Sequence, residues 1–199
     1  MASTQPAQAA QRYNGVAMAL HWLIAALLIG NIALAWYFDG LVGLPKIAPI
    51  QLHKSIGITV LLLSLIRLGW RLVSPPPPLP ATVAGWPRMV AGAVYVLFYV
   101  VMIGMPLSGW ALSSASVIIR FKPIMLYGLV HWPAIAPLSQ LAPADMKQAH
   151  EGFVAVHGLL GKLAYGLITV HVAAALRHLF VLKDGVMGRM VPFLRAAAA

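Results

Sequence analysis

Four long apolar runs, separated by short polar or proline-rich breaks, organise the chain. The first covers residues 16–38, with His21 and Asn31 as its only clearly polar members. The second, 52–73, carries His53 and Lys54 at its start and Arg67 and Arg71 near its end. The third covers about 89–110 and the fourth about 153–182. Each reaches the ~20 residues that a helix needs to cross the ~30 Å hydrocarbon core of a bilayer. Asp39, Gly40 and the stretch 43–49 end the first run, and Pro106 and Gly109 are expected to kink or end the third. Between the second and third lies Ser74-Pro75-Pro76-Pro77-Pro78-Leu79-Pro80, a stiff extended connector because proline has no helical donor. The connection 113–146 is the longest. It holds Arg120, Lys122, His131-Trp132-Pro133 and alternating short apolar pieces, expected to form an interfacial helix or a lid.

The pattern therefore predicts an all-α membrane protein, a four-helix transmembrane bundle forming one domain over 1–199. Composition agrees. Hydrophobic residues make up 61% of the chain and charged residues 9%, against roughly 25% charged in soluble domains. So apolar a chain lacks the polar side chains to cover a surface in water, and lipid is its natural solvent. Residues 1–11 carry no charge. They do not resemble the basic start of a signal peptide, and the first run is expected to be a retained span.

The formal net charge is +10. In a soluble chain that would suggest nucleic acid. Here the cations flank apolar runs, so membrane topology and anionic headgroups account for them and no nucleic-acid partner is expected. Four spans put both termini and the proline-rich connector on one side, with Arg12, Arg67, Arg71, Arg88, Arg177, Lys183, Arg189 and Arg195. The other side has Lys46, Lys54, Arg120, Lys122 and Lys147, with Lys162 inside a span. Eight cations against five orient both termini to the cytoplasm.

Cysteine is absent, which excludes disulfides, iron–sulfur clusters and thiolate metal sites. Histidine carries the candidate chemistry. His157 and His171 are 14 residues apart on one run, hence about 21 Å apart and within about 40° of the same helix face. His21 lies at the depth of His171 and His53 at the depth of His157, so each depth offers two histidines from different helices. Two such pairs suit two six-coordinate haems, whose iron takes an imidazole on each axial side. Zinc would want three or four ligands, and a di-iron carboxylate site several glutamates, where this chain has only Glu151. The competing reading of each histidine is a polar side chain bonded to a neighbouring helix. His150 and His178 each lie seven residues from a proposed ligand and share its face, so spacing leaves a register shifted outward open. Arg67 shares the face of His53 at the inner depth and suits a haem propionate, or else snorkels inward with Arg71. Lys162, five residues beyond His157, faces a propionate or a bound quinone, or snorkels. His131 lies in the long connection.

Taken in order, these residues resemble the bacterial cytochrome b561 family. The matching pieces are Leu20-His21-Trp22, Leu52-His53-Lys54-Ser55-Ile56-Gly57, Arg67-Leu68-Gly69-Trp70-Arg71, His157 with Tyr165, the His171 segment, His178 with Lys183-Asp184, and Arg189-Met190-Val191-Pro192. The resemblance covers nearly the whole chain and is weakest around 113–144. It implies a bacterial inner-membrane, multi-pass protein with two b haems, the inner ligated by His21 and His171 and the outer by His53 and His157. It also implies ubiquinone as redox partner, with superoxide or a soluble redox protein as the other, since some members oxidise superoxide and others are thought to serve partner proteins. The cationic outer set would steer a small anion such as superoxide. A haem-free transporter using histidines as a proton relay is a further alternative, but no inverted repeat is evident.

Overall fold

The computed structural model describes residues 12–78 and 85–194. Residues 1–11, Leu79 and Pro80 of the connector, and Arg195 lie outside them.

Helix α1 covers Gly15–Asp39, α2 Ile47–Val73 and α3 Trp86–Ser114. After α3 come a two-stranded antiparallel sheet, β1 (Ile124–Leu126) and β2 (Val130–Trp132), and a short helix α4 (Ala136–Ser139). Helix α5 covers Pro143–Leu176 and continues through a π-helical turn, Arg177–Leu182. Four of these helices are long and apolar enough to cross a membrane, with mean hydropathy between 1.6 and 2.1. Between 6% and 22% of each span is buried within the chain. The rest of this apolar surface needs lipid, since soluble monomers rarely expose contiguous apolar patches beyond a few hundred Å².

The four spans are those expected, but three of their ends differ. The second begins with a 3-10 turn, Leu44–Lys46, ahead of α2. The third continues past Pro106 and Gly109 to Ser114. A proline is tolerated inside a membrane helix where packing against neighbours holds it, and here Met102 is buried in a core shared with α1 and α2; Ser108 Oγ donates to the Met105 carbonyl at 2.7 Å. The fourth helix starts at Pro143, ten residues before its apolar run. Proline opens its first turn and Asp145 sits at the positive end of its dipole. Hydropathy marks only the lipid-immersed part of such a helix.

Packing runs from α1 to α2, from α2 to α3 and from α3 to α5. One core joins Ile24, Val60 and Met102, and another Val101, Ala164 and Leu167, so α3 is common to both. Buried Ser55, Ser64, Ser108, Ser113 and Ser114 let these backbones approach closely, as small residues do in membrane interfaces.

The long connection is neither a lone interfacial helix nor a loose lid. It is a cap built on the hairpin, with Ile124 opposite Trp132, Met125 opposite His131 and Leu126 opposite Val130. Tyr127 and Gly128 adopt φ of 53° and 73° at its tip. Ser55, fully buried in α2, anchors it: its Oγ accepts from Tyr127 N at 2.9 Å and lies 2.9 Å and 3.3 Å from the carbonyls of Gln51 and Met125. Tyr127 Oη meets Thr59 Oγ1 at 2.7 Å. On α3, Trp110 Nε1 donates to Pro133 O at 2.8 Å and Ser114 Oγ accepts from Ile135 N at 3.0 Å.

The opposite end is clasped by the chain's own terminal segments. Arg12 donates to the carbonyls of Pro192 and Leu194 at 2.8 Å and 2.6 Å. Trp22 Nε1 donates to Met190 O at 2.9 Å, and buried Arg189 to Pro78 O at 2.6 Å. Asn14 caps α1 through Ala17 N, and its side chain also reaches Ser74 and Trp70 at the end of α2.

Removing the Ser55 hydroxyl strands the Tyr127 N–H, and leaving a buried group unpaired costs about 1–3 kcal/mol. Ser55→Ala should therefore lower stability by about that amount and expose 121–135 to limited proteolysis. Thermal unfolding in detergent and a protease time course check it. Unchanged cleavage would mean that Ser55 does not anchor the cap.

Candidate functional site

Helices α1 and α5 each bring a histidine to the end of the bundle near Arg12 and Arg189, the inner level of the orientation expected from charge. The rings of His21 and His171 have centroids 6.2 Å apart with planes at 70°. At the outer level α2 and α5 do the same: His53 and His157 are 6.3 Å apart at 75°. The four histidines singled out by spacing thus meet in the two expected pairs, and α5 contributes to both.

Each ring is held by a second layer. His53 Nδ1 donates to the Asn31 carbonyl at 3.3 Å, and Phe38 packs edge-on against the ring at 5.3 Å. His157 Nδ1 lies 3.1 Å from the Met105 carbonyl and 2.9 Å from Ser108 Oγ. A carbonyl only accepts, so Nδ1 carries the proton in both rings and each Nε2 keeps its lone pair. Fixing the tautomer through the other ring nitrogen is how histidine ligands are oriented. At the inner level, Trp22 packs edge-on against His21 at 5.2 Å and Phe98 against His171 at 5.3 Å.

The other histidines are elsewhere. His150 Nδ1 donates to Leu112 O at 2.8 Å, tying the outer extension of α5 to α3. His178 Nδ1 bonds Asp184 Oδ2 at 2.6 Å. His131 is exposed on β2.

Arg67 is half-buried, with Nη1 3.4 Å from the Ala17 carbonyl, one turn before His21. Arg71 stacks on the Tyr95 ring at 3.8 Å instead of accompanying it. Arg67, Arg71, Tyr13, Trp70 and Tyr99 line a crevice at this end. Lys162 is not brought to either pair; it lies exposed on the flank of α5. Of the outer cations, Lys46 sits 6.0 Å over Phe38, and so within one ring of His53. Lys54 is half-buried, Arg120 and Lys122 are exposed, and Lys147 pairs with Glu151 at 3.9 Å.

Sequence reading missed the second layer. Asn31 was visible only as a polar member of an apolar run and Gly109 only as an expected helix break, while Ser108 was not noticed. Nothing in the sequence marked Phe98 or the Met105 carbonyl. Gly109 matters because a Cβ there would lie 3.1 Å from His157 Cε1.

A bundle of apolar helices whose interior holds facing imidazoles defines a membrane redox protein of the haem-carrying class. Comparison with known proteins gives the family. The model for prokaryotic cytochrome b561 matches residues 12–193, and the chain belongs to that family. It is similar to cytochrome b561 homolog 2 of Escherichia coli strain K12, at 35% identity over 91% of this chain and 92% of that protein. It is also similar to a probable superoxide oxidase, CybB, of Yersinia pestis, at 29% identity over 92% and 97%. Cytochrome b561 homolog 1 of the same E. coli strain is 27% identical over 91% and 97%. The chain is therefore a bacterial membrane electron-transfer protein of a family that binds b-type haem.

Gly109→Val would drive two methyls into the His157 ring. It should remove a large part of the b-type haem absorbance while leaving helix content by circular dichroism unchanged. Full haem absorbance in that variant would show that the ring tolerates displacement.

Proposed function

We propose that the chain holds two b haems and passes electrons from an outer donor, superoxide, to ubiquinone in the bacterial inner membrane, with both termini cytoplasmic. His21 and His171 would hold the inner haem, and His53 and His157 the outer. The observation that carries this reading is the spacing of the rings. A metal–imidazole bond is about 2 Å and the ring centre lies ~1 Å beyond the nitrogen, so two imidazoles sharing one metal have centroids roughly 6 Å apart. Both pairs have that separation, 6.2 Å and 6.3 Å. The donor set also fits: two neutral imidazoles with free Nε2 atoms and no carboxylate. No group of three or more His, Cys, Asp or Glu among the described residues suits another metal.

Haem supplies one-electron chemistry; the protein's residues orient and enclose it. Arg67 is the residue to hold inner propionates, as a forked donor. Ser64 supports this. It lies three residues before Arg67 on the same face of α2, fully buried, and its Oγ has no partner. His150 and His178 are committed to Leu112 and Asp184, which favours the inward register.

For the donor, support comes from the outer cations and from the name of one relative, a probable superoxide oxidase. A cationic mouth attracts a small anion. Superoxide gives up one electron and leaves as dioxygen, so two are consumed for each quinol formed. Lys46 and Lys54 are the best placed of the set, because Lys147 is already partnered.

His53→Ala and His157→Ala should each remove the same haem, and His21→Ala and His171→Ala the other, halving the haem-to-protein ratio. His150→Ala and His178→Ala should leave it at two. Reduced-minus-oxidised spectra with a haem assay read this directly, and loss of a haem from either of the last two variants would refute the register. Superoxide should reduce the haems without a partner protein, at a rate that falls with salt. Lys46→Glu with Lys54→Glu should slow it at least about tenfold. A stopped-flow rate indifferent to both would reject superoxide as the donor.

A further inference from the structure

The ring of helices has one open seam. Helices α1 and α5 do not pack closely along their backbones, in contrast to the other neighbouring pairs. Two side-chain pairs cross this seam: His21 with His171 at the inner level, and Trp36 with Tyr165 between the two histidine levels. Trp36 Nε1 donates to Tyr165 Oη at 3.1 Å, with ring centroids 5.9 Å apart. Both are open to the outside, Trp36 at 65% and Tyr165 at 40% exposure. Lys162 is three residues before Tyr165 and exposed, and residues so spaced neighbour each other on a helix surface. It lies five residues from His157 and nine from His171, about 7 Å and 14 Å along the axis.

A lysine at this depth is expensive and marks a functional site by default. Its ammonium has no protein partner among the described residues. Tyr165 Oη accepts from Trp36, so its own proton is also free to be donated outward. Two donors and an indole face therefore point toward lipid, between the two histidine pairs. An occupant must reside in hydrocarbon, offer acceptor oxygens to both donors and present a flat ring to Trp36. We propose that this seam binds the head of a p-quinone, its carbonyl oxygens accepting from Lys162 Nζ and Tyr165 Oη. The inference rests on the quinone-reducing reading above and gives it a location. Two electrons and two protons convert the quinone to the quinol. The two electrons are those given up by two superoxide ions in the function proposed above, which leave as dioxygen, and both protons would come from water and end on the quinone oxygens. A seam open to the bilayer lets quinone enter and quinol leave sideways.

The test uses the haem-loaded protein in nanodiscs, with ubiquinone-1 as the probe. Calorimetry measures its affinity, and stopped-flow measures reoxidation of dithionite-reduced haems. Lys162→Met and Tyr165→Phe should each weaken binding and slow reoxidation about tenfold, the loss of one charge-assisted or buried hydrogen bond. Lys162→Arg should restore most of both, and the visible spectrum and haem content should match the unaltered protein in all three. Unaltered affinity and rate in both Lys162→Met and Tyr165→Phe would overturn the site, leaving Lys162 as a snorkelling cation. No binding of ubiquinone-1 to the unaltered protein would overturn both the site and the quinone-reducing reading, while the histidine pairs stand on their own spectra.

Discussion

One helix supplies an imidazole to both histidine pairs, and that constraint governs the bundle. Helix α5 carries His157 and His171 fourteen residues apart, close to four helical turns, so both face inward about 21 Å apart. Each then needs a partner imidazole about 6 Å away, centre to centre, at its own depth. Alternating helix direction provides this with single residues near helix starts. Helices α1 and α2 run in opposite directions, α1 placing His21 in its second turn at one end and α2 placing His53 in its second turn at the other. The same requirement keeps α1 and α5 apart, because closer packing along that seam would crush the inner pair.

How far the sequence revealed this depends on which physical signal each feature carries. The spans were legible because hydrocarbon demands long apolar runs. Their ends were not, because α5 begins as a polar extension and α3 continues through Pro106, where tertiary packing overrides the local break. The histidine pairs were legible because depth and face follow from residue count along a helix. What orients the rings was not: Asn31, Met105 and Ser108 act across helix interfaces, and a backbone carbonyl has no sequence signature. The hairpin inside the connection 113–146 was not legible, because three-residue strands leave almost no periodicity. It is fixed instead by tertiary bonds to Ser55 and Thr59.

The two ends of the bundle are closed by different means. The outer cap is a hairpin bonded to α2 and α3, while the cations Lys46 and Lys54 sit at the head of α2. The other end is closed by the segments around Arg12 and 187–194. Trp22, which packs on His21, is tied to Met190, and the tail is tied in turn to Arg12 and, through Arg189, to the connector at Pro78. A small anion approaching from the outer side meets positive charge within one ring of His53. Between the two ends, the α1–α5 seam is open to lipid. Under the function proposed above, a path from the cationic hairpin end to the lipid-facing seam is the one that these contacts obstruct least.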